Sequence, residues 1–423
     1  MASRLRLLPW LGAFSALGLS QAHATNGYFT DGFGTQSKGE AGVAYALPTD
    51  ALSIATNPAS ASFVGNRVDF DVDFFAPQRS ASITGNAFGP DQDFSGNKIK
   101  LFIVPEAGVV YQLPHNLSFG LAVYSYGGMD TNYLSNPYAR FGATGNATID
   151  LEQIYFSPTL AWKFAHNQSI GISLNVVDEF FRDGGIGLFS GYSQDPQNFN
   201  HGGEDSTAGV GVRVGYYGQL TPWLAVGAAW QSVTYTGGFS AYKGLFAGRG
   251  GFNVPSSYGA GLAVTPIPAL TAAFDVQRID YRSVHSVGDS FQVLFSGVPF
   301  GAQNGPGFGW KNTTTFKFGV NYRLTPSWQV RAGYSYTTQP ISENQTFLNI
   351  LAPGVVQNQF TVGATYTSHG EVLPAGLQLS AYGMYALPQT VNGQNSIPGA
   401  FGGGNANIKL SEKILGIGAG YTF

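Results

Sequence analysis

The strongest constraint in this chain is a long series of segments in which apolar and polar residues alternate. From residue 66 onward the alternation runs over ten or more positions before each break. In the segment 68–74, for example, four large apolar residues alternate with three aspartates. A period of two is typical of a β-strand with one apolar and one polar face. The pattern predicts strands at residues 66–77, 98–112, 116–130, 147–165, 168–182, 205–220, 223–239, 251–265, 269–283, 312–324, 327–340, 358–369, 375–390 and 408–423.

The breaks between these segments are alternately short and long. The long breaks are rich in glycine, asparagine and serine, whereas the short ones have only a few residues. An even number of antiparallel strands, with tight turns on one rim and long loops on the other, is the layout of bacterial outer-membrane barrels. A closed barrel also satisfies every backbone group in lipid. The sequence therefore predicts an all-β protein, a fourteen-stranded antiparallel transmembrane barrel in the outer membrane of a Gram-negative bacterium.

The composition agrees with a surface that faces lipid. Hydrophobic residues make up 43% of the chain and charged residues only 11%, whereas a soluble domain has about 25% charged residues. The chain has no cysteine, which excludes a disulfide framework and thiol chemistry, and a net charge of −3 gives no indication of a nucleic-acid partner. Catalytic motifs and metal-ligand spacings are absent from the sequence. We therefore expect neither an enzyme nor a cofactor or metal site.

Both ends of the chain have recognisable signals. Residues 1–24 combine Arg4 and Arg6 with an apolar run and a small-residue ending, which predicts a secretory signal peptide. The last strand places large apolar residues on one face and ends at Phe423, as suits a lipid-facing surface with an interfacial ring. It also resembles the carboxy-terminal signal by which barrels are recognised for assembly. The barrel-assembly machinery, outer-membrane lipid and lipopolysaccharide are accordingly expected partners.

Residues 25–65 do not alternate. Small and apolar residues dominate this segment, whereas disordered tails are usually charged and polar. The segment is therefore predicted to be a compact plug inside the barrel, which then comprises residues 66–423. Asp50 is predicted to cap a short helix over residues 51–55, which Asn57 and Pro58 would end.

The same segment resembles the amino-terminal hatch of the FadL family, outer-membrane transporters for long-chain fatty acids with relatives that take up aromatic hydrocarbons. The resemblance rests on Asn26-Gly27-Tyr28-Phe29, Lys38-Gly39, Asp50-Ala51 and Asn57-Pro58-Ala59. It implies passive uptake of hydrophobic small molecules, with long-chain fatty acids as the first expectation and a lateral exit through the wall. It also implies a ligand pocket formed by Thr25, Asn26, Gly27, Tyr28 and Phe29, and a gate that includes Asn57, Pro58 and Ala59.

A fatty acid has one carboxylate, and a pocket for it needs a cation because a buried carboxylate without a partner is costly. Lys317 and Arg331, in the middle of neighbouring predicted strands, are the preferred candidates for this cation. The alternative is an internal ion-pair network that holds the plug. The alternation predicts lumenal positions for the basic residues Lys100, Arg213, Lys317, Arg323 and Arg331 and the acidic residues Asp69, Asp71, Asp73 and Asp275.

Two prolines interrupt predicted strands. Pro105 and Pro158 lie in the second and fourth strands and therefore flank the third. Proline is rare in a strand that has partners on both sides. Since the FadL resemblance implies release through a kink in the third strand, both prolines are predicted to border a lateral opening. The alternative is two bulges without function.

Aromatic residues recur in the long loops, where contiguous apolar surface would mark a binding site. They either form an outer collecting site or pack the loops together. Uptake of aromatic hydrocarbons, export of lipids, a porin and a surface adhesin remain alternatives for the whole chain. The aromatic residues in question are Phe189, Tyr192, Tyr242, Phe246, Phe291, Phe295, Phe347 and Phe401.

Overall fold

The structure is a computed structural model that describes residues 26–370 and 372–423. The predicted signal peptide, residues 1–24, and Thr25 lie outside the described residues. The described part forms one antiparallel sheet of sixteen strands. The strands are β1 (Arg67–Thr84), β2 (Gln92–Ser95), β3 (Phe102–Leu113), β4 (Leu117–Asn132), β5 (Thr148–Ala165), β6 (Gln168–Gly184), β7 (Asp205–Thr221), β8 (Leu224–Gln231), β9 (Tyr235–Thr236), β10 (Ser257–Ile267), β11 (Leu270–Ile279), β12 (Thr313–Arg323), β13 (Trp328–Thr337), β14 (Asn358–Thr367), β15 (Leu377–Val391) and β16 (Asn405–Thr422).

Pairing of the first and last strands closes the sheet into a barrel. β1 and β16 are antiparallel from Arg67–Thr422 to Thr84–Asn405. Two of the sixteen strands are short additions, since β2 pairs only with β1 and β9 only with β7. The remaining fourteen form the ring, each overlapping one predicted strand, so the fourteen-stranded barrel is confirmed.

Side chains alternate between an exposed outer face and a buried inner face. On β16, Leu415 and Ile417 are 57% and 50% exposed, whereas Leu410 and Glu412 are buried. Large apolar residues also lie on the outer faces of the other strands. This outward apolar band is the surface that a barrel presents to lipid.

The connections differ at the two rims, as the sequence predicts. The turn between β3 and β4 is tight, with His115 and Asn116 both at a φ of about 60°, the conformation favoured in short hairpins. The long loops contain short helices. No helix in the described part of the chain is long and apolar enough to span a membrane. The α-helices are Thr35–Lys38, Ala247–Gly250, His285–Gly288 and Thr346–Asn349, and the 3-10 helices are Ala51–Ala55, Pro58–Ser62, Ala139–Phe141, Gly187–Tyr192, Pro196–Asn198, Ser240–Tyr242, Tyr281–Ser283, Phe291–Ser296, Glu343–Gln345 and Gly399–Phe401.

Residues 26–65, which we call the hatch segment, pack against the inward-facing side of the strands and are almost entirely buried. The predicted cap at Asp50 is present: its carboxylate accepts a hydrogen bond from the Ser53 backbone N–H at 3.0 Å, at the start of the helix Ala51–Ala55. Glycines in the wall allow this close packing. A Cβ on Gly259 would lie 2.5 Å from the Tyr45 ring.

Candidate ligand pocket and gate

The wall of the barrel has a gap between β3 and β4. Their pairing runs from the hairpin turn only as far as Ala107 and Val123. Beyond this point, among the strands of the described residues, β3 pairs only with β1, where Phe75 is opposite Phe102, and β4 pairs only with β5. Residues 102–106 and 124–132 therefore have no ladder between them.

β4 bends where the gap begins. Its side chains alternate in burial up to Val123, whereas residues 124–131 are all buried. The register with β5 shifts between Ser125 and Gly127, which leaves Tyr126 as an extra residue. A bulge of this kind bends a strand and ends regular pairing. Residues 124–131 of β4 thus have no face that is exposed to lipid.

The first described residues of the hatch segment occupy the strand edge that β3 leaves. We call residues 26–30 the amino-terminal turn. The Gly128 backbone N–H donates to the Tyr28 carbonyl at 2.9 Å, and the Thr30 N–H donates to the Tyr126 carbonyl at 3.2 Å. Unpaired backbone groups are costly at the depth of a membrane. The amino-terminal turn therefore supplies two backbone hydrogen bonds to β4 beside the gap.

Aromatic rings hold the amino-terminal turn from the lumenal side. Tyr28 lies 5.3 Å from Tyr281 and 5.8 Å from Trp310 between ring centroids, and Phe29 lies 4.5 Å from Tyr126. The Tyr281 hydroxyl also donates to the Asn26 carbonyl. The turn is therefore fixed by backbone hydrogen bonds and ring contacts.

A mainly apolar cavity, which we call the wall cavity, lies between the amino-terminal turn and the barrel wall. Its volume of about 30 Å³ is roughly the space of one or two water molecules. A ligand therefore enters only when the walls move, and Gly27 of the turn is one of them. The lining residues are Gly27, Phe75, Pro77, Arg79, Gly128, Met129, Asp130, Trp310, Leu351, Ala352, Pro353, Gly354, Leu410 and Glu412.

Three charged side chains line the wall cavity. The Arg79 guanidinium forms an ion pair with Asp130 and also donates to the Ile99 carbonyl. Glu412 is buried, and neither of its carboxyl oxygens has a hydrogen-bond partner among the described residues. Sequence reasoning missed Glu412. The signal was present, because Glu412 interrupts an otherwise apolar series of inward positions, Ala406, Ile408, Leu410 and Ile414.

A second apolar cavity, the outer cavity, lies within the long loops. Leu351 lines both the outer cavity and the wall cavity. The outer cavity has a volume of about 30 Å³ and is lined by residues such as Phe181, Phe189 and Phe246. Among the loop aromatics named above, only Tyr192 and Phe295 are exposed; Phe189, Tyr242, Phe246, Phe291, Phe347 and Phe401 are buried.

The two preferred lumenal cations contact the hatch segment. Arg331 Nε lies 2.9 Å from the Glu40 carboxylate, and Lys317 donates to the backbone carbonyls of Asp31 and Gly42. Burial raises the pKa of Glu40 to about 7, although Arg331 and Asn321 lower it. The structure thus gives Lys317 and Arg331 the contacts expected of a network that holds the plug.

Two of the other predicted lumenal cations, Lys100 and Arg323, are exposed in the structure. The lumenal position predicted for Lys100 is wrong, because its side chain is exposed and it precedes β3. The alternation ends in the loop after β2, so its phase does not extend to residue 100. Arg323 is also exposed, at the end of β12.

Arg213 is buried and faces the lumen as predicted. Its guanidinium donates to the Tyr124 hydroxyl at 3.3 Å and to Gln231, and lies 5.5 Å from the Tyr126 ring centroid. No ion pair involves Arg213 within residues 26–370 and 372–423. It lines a cavity of about 20 Å³ together with Phe29 and other residues.

Buried ion pairs anchor the middle of the hatch segment. Lys38 Nζ lies 2.6 Å from Asp73 and 2.8 Å from Glu106, which are on β1 and β3. The Asp275 carboxylate accepts hydrogen bonds from the backbone N–H groups of Ala44 and Tyr45 at 2.8 and 3.1 Å. These contacts reach opposite parts of the ring.

The Asn57-Pro58-Ala59 motif also ties the hatch segment to the wall. The Asn57 side chain donates to the Tyr45 and Tyr216 carbonyls at 2.8 and 2.9 Å and accepts from the Ala59 N–H. The Ala59 carbonyl accepts from the Ser169 hydroxyl at 2.8 Å. The motif therefore contacts both β6 and β7.

Only one of the two prolines borders the gap. Pro105 lies on β3, in the stretch that pairs with β1 and has no partner on β4. Pro158 pairs with Leu121 of β4, and the ladder that is interrupted at residues 157–158 is the one between β5 and β6. Pro158 therefore does not border this gap, because the interrupted ladder beside it lies on the far side of β5, and an opening at Pro158 stays a prediction.

Comparison with known proteins decides the family. Residues 14–423 match the family model described as outer membrane protein transport protein (OMPP1/FadL/TodX). The chain belongs to this family. It is therefore an outer-membrane transporter of hydrophobic compounds and not an enzyme. The comparison with curated proteins gave no match.

Solved structures of similar fold include a Pseudomonas aeruginosa FadL homologue, with a TM-score of 0.70 and 16% identity over 94% of this chain and 100% of that one. The toluene transporter TodX of P. putida has a TM-score of 0.67 and 16% identity, over 93% and 99% of the two chains. The toluene transporter TbuX of Ralstonia pickettii has a TM-score of 0.64 and 17% identity, over the same shares. At these identities the likeness is one of fold.

Proposed function

We propose that this protein takes up neutral hydrophobic small molecules, with aromatic hydrocarbons as the first candidates, and releases them sideways through the gap between β3 and β4. The observation that carries the proposal is the amino-terminal turn. This turn pairs with the free edge of β4 and also forms a wall of the adjacent apolar cavity. A single movement of the turn would enlarge the cavity and free the edge.

The two apolar cavities define a route. A molecule captured among the loop aromatics enters the outer cavity, passes Leu351 and reaches the wall cavity. It then leaves through the gap into lipid. An apolar ligand avoids water along the whole route, which lowers the cost of each step.

The charges around the wall cavity favour a neutral ligand. Arg79, the cation in this lining, is already paired with Asp130, and Glu412 offers a ligand carboxylate no counter-charge. The fatty acid that the sequence suggested first is therefore the second candidate. TodX and TbuX, which share this fold, are toluene transporters, and this adds support for aromatic hydrocarbons.

A disulfide between the amino-terminal turn and β4 tests the mechanism. Phe29 and Gly127 are antiparallel bridge partners, a pairing with Cα atoms about 4.5–5.5 Å apart, within reach of a disulfide. A Cβ on Gly127 would lie 2.7 Å from the Tyr28 carbonyl oxygen, so Gly127→Cys alone is the control for that displacement. The chain has no other cysteine. We expect cells with oxidised Phe29→Cys/Gly127→Cys protein to lose toluene uptake and to regain it on reduction. Equal uptake in the two redox states would refute a moving turn.

Arg213 supports the second candidate. It is a buried lumenal cation beside Phe29 without a carboxylate partner among the described residues. If fatty acids are the substrate, calorimetry on the purified protein should give oleate binding that Arg213→Leu weakens about tenfold or more, the value of one charged hydrogen bond. Arg323→Leu is the control, since Arg323 is exposed at the end of β12 and its removal leaves no buried charge without a partner.

A further inference from the structure

Glu412 is a buried carboxyl group in a mainly apolar site, with no hydrogen-bond or ion-pair partner among residues 26–370 and 372–423. It faces the wall cavity from β16, is 1% exposed, and neither carboxyl oxygen accepts or donates a hydrogen bond within the described part of the chain. Leaving a buried polar group unsatisfied costs about 1–3 kcal/mol. A buried group without a hydrogen-bond partner needs an explanation, and at the wall of a cavity a ligand can supply the missing partner.

The nearest cation in the cavity is committed elsewhere. Arg79 lines the same cavity, but its guanidinium contacts Asp130 and the Ile99 carbonyl. The neighbouring inward positions on β16 are apolar, with Leu410 on one side and Ile414 on the other. The wall cavity therefore combines an apolar body with one unsatisfied hydrogen-bond acceptor.

We propose that the wall cavity selects apolar molecules that carry one neutral hydrogen-bond donor, such as alkylphenols and aromatic alcohols, and that Glu412 accepts this hydrogen bond. This inference rests on the proposed uptake function and specifies its substrate class. A carboxylate ligand is disfavoured because Arg79, the cation in this lining, is already paired with Asp130. A cationic amine is disfavoured because its desolvation is costly and Arg79 lies on the same cavity.

Two isomeric probes separate the effect of the hydroxyl group on binding from the effects of size and shape. 4-Ethylphenol and 4-methylanisole have the same formula and similar shape, but only the phenol donates a hydrogen bond. We expect calorimetry on the purified, detergent-solubilised protein to give about tenfold tighter binding of the phenol, the value of one buried hydrogen bond. Glu412→Leu should abolish this preference while it retains 4-methylanisole binding. Glu412→Gln, which keeps an acceptor oxygen, should retain part of the preference.

Glu343→Leu is the control, because Glu343 is exposed in a loop away from the wall cavity. Circular dichroism melts establish that each variant is folded. Equal affinity of the wild type for the two probes overturns the role of Glu412 and leaves uptake of neutral hydrocarbons standing. Retention of the phenol preference in Glu412→Leu also overturns that role. Absence of binding of both probes, together with absence of toluene uptake, overturns this inference and the proposed function together.

Discussion

The hatch segment is attached to the barrel in two different ways. Its middle part is held by buried ion pairs, with Lys38 between Asp73 and Glu106 and Glu40 against Arg331. The amino-terminal turn is held by backbone hydrogen bonds to β4 and by aromatic contacts. The middle part, which we call the anchor, contacts several strands of the ring. The amino-terminal turn is attached beside the gap between β3 and β4.

The difference has an energetic meaning. Removing one partner of a buried ion pair leaves a charge in a medium of low polarity and costs about 3–5 kcal/mol. A backbone hydrogen bond contributes about 0.5–1.5 kcal/mol net, and an aromatic contact about the same beyond its burial. A single contact of the turn is therefore weaker than a single ion pair of the anchor, as the proposed movement of the turn requires.

Breaking the anchor should have the largest effect on stability. Lys38→Met leaves Asp73 and Glu106 buried without their cation, and we expect a loss of about 3–5 kcal/mol in the free energy of unfolding. Denaturant titration of the purified protein measures it. Lys100→Met is the matched control, since Lys100 is exposed, and should change stability by less than about 0.5 kcal/mol. Equal losses in the two variants would contradict the anchor.

Changing Leu351, the residue between the outer cavity and the wall cavity, should have a large effect on transport. Leu351 lines both cavities, so a larger side chain blocks the route and a smaller one widens it. We expect Leu351→Trp to lower toluene uptake about tenfold or more, the effect of more than about 1.4 kcal/mol on a barrier. Leu351→Ala should keep uptake at or above the wild-type rate. Unchanged uptake in Leu351→Trp would show that the route lies elsewhere.

The anchor and the gap also differ in how well they could be predicted. Strand positions and the Asp50 cap follow from period two and from local hydrogen bonding, and both are confirmed. The partners of Lys317 and Arg331 could not be derived, because they lie almost 300 residues away in sequence. Lys100 was misplaced because a loop breaks the alternation. The sequence could not distinguish Pro105 from Pro158, since the side of a strand on which a ladder is interrupted depends on the assembled sheet.

The anchor should respond to pH. The pKa of Glu40 is about 7 in the folded protein against an ordinary value of 4.5, so the folded state binds this proton more tightly than the unfolded state. The associated stability is fully present below pH 4.5 and is lost as the pH rises through 7. We expect the thermal midpoint to fall between pH 5 and pH 8, and to fall less in Glu40→Gln. Some dependence should remain, since the pKa of Asp50 is also raised to about 7 by burial. An identical fall in the variant would exclude Glu40 as its source.

The two prolines allow the smallest and most local test of the gap. Pro105→Ala returns a backbone N–H to β3 in the stretch that has no partner on β4, whereas Pro158→Ala returns one to the interrupted ladder between β5 and β6. The restored N–H at residue 105 gains an acceptor on β4 only when the gap closes. Since one added hydrogen bond contributes about 0.5–1.5 kcal/mol, this N–H favours the closed wall, and Pro105→Ala should lower toluene uptake by about two- to tenfold. Pro158→Ala should leave uptake unchanged and raise stability slightly. A larger transport effect from Pro158→Ala would place the exit between β5 and β6. The amino-terminal turn, which contacts β4, could then not be the gate.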